Sequence, residues 1–430
     1  MSAVNDLRAA SRFASSLYRQ RADLWWAGRV RGDLLSRVRL REGRRDPYPV
    51  YEQMRRRGPM LPTRLGNWST TSHALCSQVL RSRQFGTRPL GDAPGNTVID
   101  LSFLELNEPD HTRLRRLAAP AFSPRMMSTY ESLVTGCVDE LIDRATRRRS
   151  FDLIDSLAAP LPITVITSML GIPDADAATF QRYGTAIGGA IDGVRSVRHA
   201  RELIRANGEL ERLFESLFEL RAREPRDDLV SALVAERGDS IAPHELLPMC
   251  QLLLIAGFET TVNLVGNAVV ALQRHPTQWQ RLVEEPSLAG PAVEEVLRHD
   301  PPVQETARVA HTEVEVGGVA VHQGQYVMVL IAGANRDPDV FPDPERFDIT
   351  RASASEHLAF SGGIHYCLGA PLARLEAKVT LRRLAERMPS LRLDGRVVMR
   401  PSVTIRGPLH VPVHAGAAVS RPRSGSRATH

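Results

Sequence analysis

The sequence predicts a mainly α chain with a small β region, organised as one mixed domain. Three observations carry this. Apolar residues recur at helical spacing over 129–147, 160–171, 198–222 and 242–274. Period-two alternation is confined to short runs, such as Val314 and Val316 or Val319 and Val321, within Val309–Leu330. No internal repeat and no clear linker divides the 430 residues, a length that can bury one large core.

Taken in order, residues 1–45 read as an N-terminal extension, closed by Asp46-Pro47-Tyr48-Pro49 as a turn before a helix from Val50. Within Leu17–Leu40, the residues Leu24, Trp25, Trp26, Leu34 and Leu35 stand among arginines. A basic amphipathic helix of this kind can lie on a membrane surface, but packing of the tryptophans on the main body is the expectation. A strand region at Leu61–Thr71 follows, then a loop from Gly86 to Gly95 carrying Pro89 and Pro94. Asn107-Glu108-Pro109-Asp110 caps a basic helix from His111, and the four periodic segments come next. Pro301-Pro302 ends a further helix ahead of the short strands, and residues 416–430, rich in Arg, Ser, Gly and Ala, are expected to be disordered.

Composition narrows the class. At 43% hydrophobic and 24% charged residues the chain reads as globular. Lys378 is the single lysine, so the net charge of +6 rests on arginine. Those arginines flank every acidic cluster without interleaved aromatics, which argues against nucleic-acid binding and leaves an acidic protein partner open. Cys76, Cys137, Cys250 and Cys367 show no paired spacing, so reduced thiols and a cytoplasmic location are the default. No run of 18 apolar residues predicts a transmembrane helix, and arginines interrupt any signal-like start.

Chemistry concentrates in Phe360-Ser361-Gly362-Gly363-Ile364-His365-Tyr366-Cys367-Leu368-Gly369. One cysteine sits in a glycine-rich turn, and Ala370-Pro371-Leu372-Ala373-Arg374-Leu375-Glu376 opens a helix behind it, with proline where its missing N–H costs nothing. Amides at that helix start favour a thiolate over a thiol. Gly363 and Gly369 let backbone approach something flat. These features describe a thiolate ligand for haem iron. A buried structural cysteine is the competing reading, and five fixed positions ahead of a helix weigh against it.

A second constellation is Ala256-Gly257-Phe258-Glu259-Thr260-Thr261, inside the 242–274 helix. Gly257 costs about 1 kcal/mol in a helix interior relative to alanine, so it asks for a reason. Thr260 can bond the Ala256 carbonyl and bend the helix, and the neighbouring Glu259 could relay protons through water to bound dioxygen. A tight helix crossing is the alternative. Third, Glu295-Val296-Leu297-Arg298 places a carboxylate and a guanidinium on one helical face.

These motifs resemble the cytochromes P450: the cysteine loop fills F-x-x-G-x-H-x-C-x-G, the second run A-G-x-[DE]-T-T, and the third E-x-x-R. The resemblance covers roughly 46–415, which it implies is the haem domain, with the mainly helical prism fold. It implies that Cys367 is the axial ligand of haem b, that His365 binds a propionate, and that Thr260 and Glu259 are the oxygen-activating hydroxyl and proton-delivery acid. By position, His111 and Arg115 of His111-Thr112-Arg113-Leu114-Arg115, and Arg308 after Pro301-Pro302-Val303-Gln304, are further propionate ligands. Glu295, Arg298 and Arg346 of Pro344-Glu345-Arg346-Phe347 form a structural network.

The implied reaction is insertion of one O2 oxygen into a lipophilic small molecule, by hydroxylation or epoxidation, in natural-product, lipid or steroid metabolism. Electrons are expected from NAD(P)H through a separate ferredoxin and ferredoxin reductase, since no flavin or iron–sulfur pattern follows residue 415, and the chain is expected to be a monomer. By family position, Leu252, Ile255, Ala256, Val303, Gln304, Thr306, Val403 and Thr404 line the pocket, with the segments 86–104 and 174–200. A peroxide-driven haem enzyme and a non-catalytic haem-binding or gas-sensing protein are the two other readings.

Overall fold

The computed structural model describes residues 18–91, 100–173, 176–188 and 196–416. Residues 1–17 of the expected extension, all of the expected tail at 416–430 except residue 416, and parts of the expected loops at 92–99, 174–175 and 189–195 lie outside them.

The helix Leu246–Arg274 is the spine of the molecule. It packs against Pro160–Leu170, Ala370–Arg387 and Ala289–His299, so it is apolar on nearly every side, with Val265, Ala268, Val269 and Leu272 fully buried. It is the one described helix long and apolar enough to cross a membrane, yet 83% of its apolar window is buried in the chain. A helix that is apolar all round is accounted for by such a core position. At Gly266 it lies close against the strand Pro408–His410, where a Cβ would meet Pro408 Cγ at 2.6 Å.

The other expected helices form close to their predicted bounds, as Tyr48–Arg57, Pro124–Ala145 and Val197–Arg223. Asp110–Ala118 forms as well, but without a side-chain cap. Asn107 is used elsewhere: its Oδ1 accepts from Thr87 N at 3.0 Å and its Nδ2 donates to Arg88 O at 3.0 Å, fastening the preceding loop.

The β region holds one mixed five-stranded sheet in the order Leu61–Pro62, Trp68–Thr70, Tyr326–Val329, Thr306–Ala310, Phe85–Gly86. Trp68–Thr70 runs parallel to Tyr326–Val329 and the other pairs are antiparallel. Two-residue and three-residue strands form three further small sheets.

Residues 34–45 of the expected extension share a core with the main body: Leu34 and Val38 pack with Val50, Tyr51, Met54 and Leu330. The tryptophans ahead of them depart from expectation. Trp25 and Trp26 are 54% and 52% exposed, because Ala27 and Gly28 take the inward face of the helical residues 18–29.

One buried acid gives a pH prediction. Burial alone pushes the Glu376 carboxyl, in helix Ala370–Arg387, up to about 8. A folded-state pKa raised above the unfolded one favours folding fully below the ordinary carboxylate range and loses that contribution as pH rises toward 8. Glu376→Gln should therefore stabilise the protein at pH 8 and change little at pH 4, measured by urea unfolding at both.

Candidate functional site

The cysteine loop is a series of tight turns set by backbone bonds. Cys367 N donates to Phe360 O at 2.9 Å, Ser361 N to Leu358 O at 2.8 Å and Tyr366 N to Gly363 O at 3.1 Å. Gly363 is required by the chain itself: its φ is +64° and a Cβ would lie 2.5 Å from Leu80 O. At Gly369, by contrast, a Cβ would meet nothing of the chain nearer than Phe122 Cε1 at 3.9 Å, so packing does not demand a glycine there. Backbone amides of Gly369 and Ala370 hydrogen-bond the Cys367 sulfur, as expected of the start of helix Ala370–Arg387. Cys367 as a residue is exposed, and yet burial pushes its thiol pKa up, against the amides and Arg115. Together these place it on the floor of a recess enclosed by the chain.

Four basic side chains gather beside it. The rings of His111 and His365 lie 4.2 Å apart between centroids, and Arg115 Nη2 donates to Tyr366 O at 2.5 Å. Arg308 comes from the strand Thr306–Ala310 and bonds only neutral groups: Thr306 Oγ1 at 3.1 Å, Ala307 O at 2.9 Å and Ser361 Oγ at 3.3 Å. Burial without a facing anion lowers its pKa to about 10. Burial, with Arg308, His111 and Arg115 nearby, pushes His365 down to about 3. Both ring nitrogens of His111 and Nε2 of His365 are buried without a hydrogen-bond partner. Among the described residues the nearest acid, Glu108, reaches His111 Nδ1 only at 4.0 Å. A buried guanidinium at Arg308, a half-buried one at Arg115 and orphaned imidazole nitrogens without carboxylates are costly, and they fit a ligand that brings its own carboxylates.

On the long helix, Thr260 Oγ1 donates to Ala256 O at 2.8 Å, the bend-forming bond expected from its position. Ala256 is exposed, and Gly257 and Thr260 are partly so, in a stretch otherwise buried on both sides. A Cβ at Gly257 would meet only Ile166 Cδ1, at 3.8 Å. The helix crossing therefore does not account for this glycine. Glu259 is buried and forms an ion pair with Arg400. Burial raises the Glu259 pKa and the guanidinium opposes the rise. Arg400 carries no motif in the sequence, and only the return of the chain at Arg400–Gly407 brings it to the helix, where its N–H donates to Gly407 O at 2.9 Å.

The structural network forms with one substitution of role. Glu295 and Arg298 are fully buried and paired bidentately, Nε to Oε2 at 2.7 Å and Nη2 to Oε1 at 2.8 Å. Arg298 also donates to the carbonyls of Pro344 at 2.8 Å and Arg346 at 3.0 Å. Arg346 contributes that carbonyl only. Its side chain is 65% exposed and pairs with Asp348 at 3.0 Å. The second guanidinium on Glu295 is Arg351, at 3.4 Å, because the turn at 343–348 presents backbone inward and sends the Arg346 side chain to solvent.

The expected pocket residues divide. Ile255 lines an apolar cleft with Leu254, Phe258, Ile166, Phe180 and Tyr183, and Ala256 is uncovered. Leu252 is packed into the main core, and Val303, Thr306 and Thr404 are half-buried. Gln304 and Val403 face another way, into a narrow crevice with Val38, Gly43 and Ser402. Gln304 turns back to donate to Pro301 O at 2.7 Å, which satisfies its amide nitrogen within the chain.

Comparison with known proteins decides the family. The Cytochrome P450 family model matches residues 70–388. The chain belongs to the cytochrome P450 family. The P450 monooxygenase PikC of Streptomyces venezuelae is 39% identical over 86% of this chain and 91% of its own. The 6-deoxyerythronolide B hydroxylase of Saccharopolyspora erythraea is 36% identical over 86% and 94%. A solved structure of P450BioI, in complex with an acyl carrier protein ligated to hexadec-9Z-enoic acid, superposes with a TM-score of 0.81 at 36% identity. It covers 87% of this chain and 99% of that one. This P450 is thus a haem-dependent monooxygenase with the mainly helical P450 fold, taking electrons from NAD(P)H through redox partners. The donor set fits haem: a cysteine in a recess, Arg115 and Arg308 whose hydrogen bonds go to neutral groups, orphaned imidazole nitrogens, and open space at Gly369 and Gly257. Bound there, haem supplies the iron at which O2 is activated, and a thiolate ligand favours O–O cleavage.

Proposed function

We propose that this P450 hydroxylates or epoxidises a lipophilic small molecule of natural-product, lipid or steroid type, using Cys367 as the thiolate ligand. The observation that carries the site assignment is the group of His111, Arg115, Arg308 and His365 beside Cys367 without acidic partners. In this reading the four side chains hold the propionates. Gly369 keeps backbone clear of the ring, and the amides of Gly369 and Ala370 moderate the donor strength of the sulfur. Thr260 orients water and passes protons through its hydroxyl, and Glu259 supplies them. The apolar residues Ile255, Phe180 and Tyr183 favour a lipophilic substrate, in keeping with relatives named for 6-deoxyerythronolide B and a fatty acyl chain. A ferredoxin and its NAD(P)H-dependent reductase are the partners, residues 46–415 the haem domain, and a monomer in the cytoplasm the working form.

The test is turnover of a lipophilic substrate panel with a surrogate ferredoxin, its reductase and NADPH, beside a reaction given hydrogen peroxide alone. Product in the first and little in the second supports the reading. Product only with peroxide, or with neither donor, would favour the peroxide-driven or the non-catalytic alternative.

The cation cluster makes a separate prediction. Arg308→Ala and Arg115→Ala should each speed haem loss to an acceptor globin, since a charge-assisted hydrogen bond contributes about 1.5–3 kcal/mol. Arg205→Ala, on the exposed face of helix Val197–Arg223, should leave the rate unchanged. Equal loss in all three would mean the cofactor lies elsewhere.

A further inference from the structure

The helical residues 18–29 present an outward face that the other described residues leave bare. Tyr18 is 68% exposed, Trp25 54%, Trp26 52% and the adjoining Val30 52%. Tyr18, Ala22, Trp25 and Arg29 follow at three- and four-residue steps, which puts them on one side of a helix. Trp26 and Arg19, seven residues apart, flank that side, and Arg21 borders it opposite. Asp23 is the one acid between Tyr18 and Arg31, against Arg19, Arg21, Arg29 and Arg31.

The face is held rigidly. A Cβ at Gly28 would come within 3.0 Å of Leu40 Cδ1 and 3.2 Å of Arg37 N, so the helix crosses the segment 36–40 closely. Asp33 N donates to Ala27 O at 3.0 Å and Arg57 Nη1 to Gly32 O at 3.3 Å, tying the end of the helix to the body. Arg29 engages Glu42 at 2.5 Å, an exposed pair of the kind that exchanges readily.

From these observations we infer that the helix 18–29 is a docking surface for an anionic phospholipid bilayer. Tryptophan and tyrosine with flanking arginine are the side chains that settle at a bilayer interface, ring in the acyl boundary and charge among headgroups. The surface is one face of a single helix. Its charge is complementary to acidic lipid.

The test uses the full-length, haem-loaded protein with vesicles of phosphatidylcholine alone and of phosphatidylcholine with phosphatidylglycerol. The expected result is co-sedimentation with the anionic vesicles that weakens at high salt, together with quenching of tryptophan emission by brominated lipid. Trp25→Ser with Trp26→Ser should lower partitioning at least about tenfold. Arg19→Gln with Arg31→Gln should lower it on anionic vesicles only. Both double variants should keep wild-type melting and carbon monoxide spectra, since the substituted residues are exposed. Three results would overturn the inference: no binding to anionic vesicles, equal binding to both vesicle types, or dimerisation without lipid that the tryptophan variant abolishes.

Discussion

Glu295→Ala should lower the stability of the folded protein by about 3–5 kcal/mol, the cost of leaving a buried charge without its partner. Arg298 is wholly buried, and its remaining contacts are backbone carbonyls and the Phe341 ring, which cannot neutralise it. Urea unfolding with and without haem would measure the loss. The same experiment separates two arginines near this pair. Arg351→Ala removes a side chain that touches Glu295 and should destabilise measurably. Arg346→Ala removes one that points to solvent while keeping the carbonyl Arg298 uses, and should fall within about 0.5 kcal/mol of wild type. A cost at Arg346 equal to that at Arg351 would contradict the network.

The second large effect concerns coupling. On the proposed relay, Thr260→Ala should still bind substrate and consume NADPH, but release hydrogen peroxide in place of product, because the hydroxyl proposed to pass the second proton is gone. Glu259→Gln should slow NADPH consumption itself, as general acid–base catalysis typically contributes 10²–10⁴-fold. Glu259 is paired with Arg400, so proton delivery requires that carboxylate to loosen from the guanidinium, and Glu259→Gln leaves a buried cation behind. Melting curves of the variant control for that. Product, peroxide and NADPH counted together in a reconstituted system give the result. Wild-type coupling in Thr260→Ala would mean that this hydroxyl only shapes the helix.

What the sequence made legible was local. Cys367 and the glycines around it, Thr260 with Ala256, and Glu295 with Arg298 lie within one loop or one helical turn, where spacing fixes geometry. What it hid depended on the return of distant chain. Arg400 meets Glu259 only after the last strands fold back, and nothing in its neighbours marks it. Arg346 and Arg351 both come after the Glu295 helix in the chain, and only the turn at 343–348 decides which side chain faces inward. Gln304 lies in a pocket segment by position, but its amide finds the Pro301 carbonyl. Trp25 and Trp26 looked like core because they are large, whereas Gly28 was the residue the close helix crossing needed.

The most direct measurement is the absorption spectrum of the reduced protein under carbon monoxide. If Cys367 is the thiolate ligand, as proposed, the wild-type protein should give the red-shifted Soret band of thiolate ligation, and Cys367→His should retain haem and lose that band. A red-shifted band that persists in Cys367→His, or its absence from the wild-type protein, would contradict the assignment of Cys367 on which the account of this site rests.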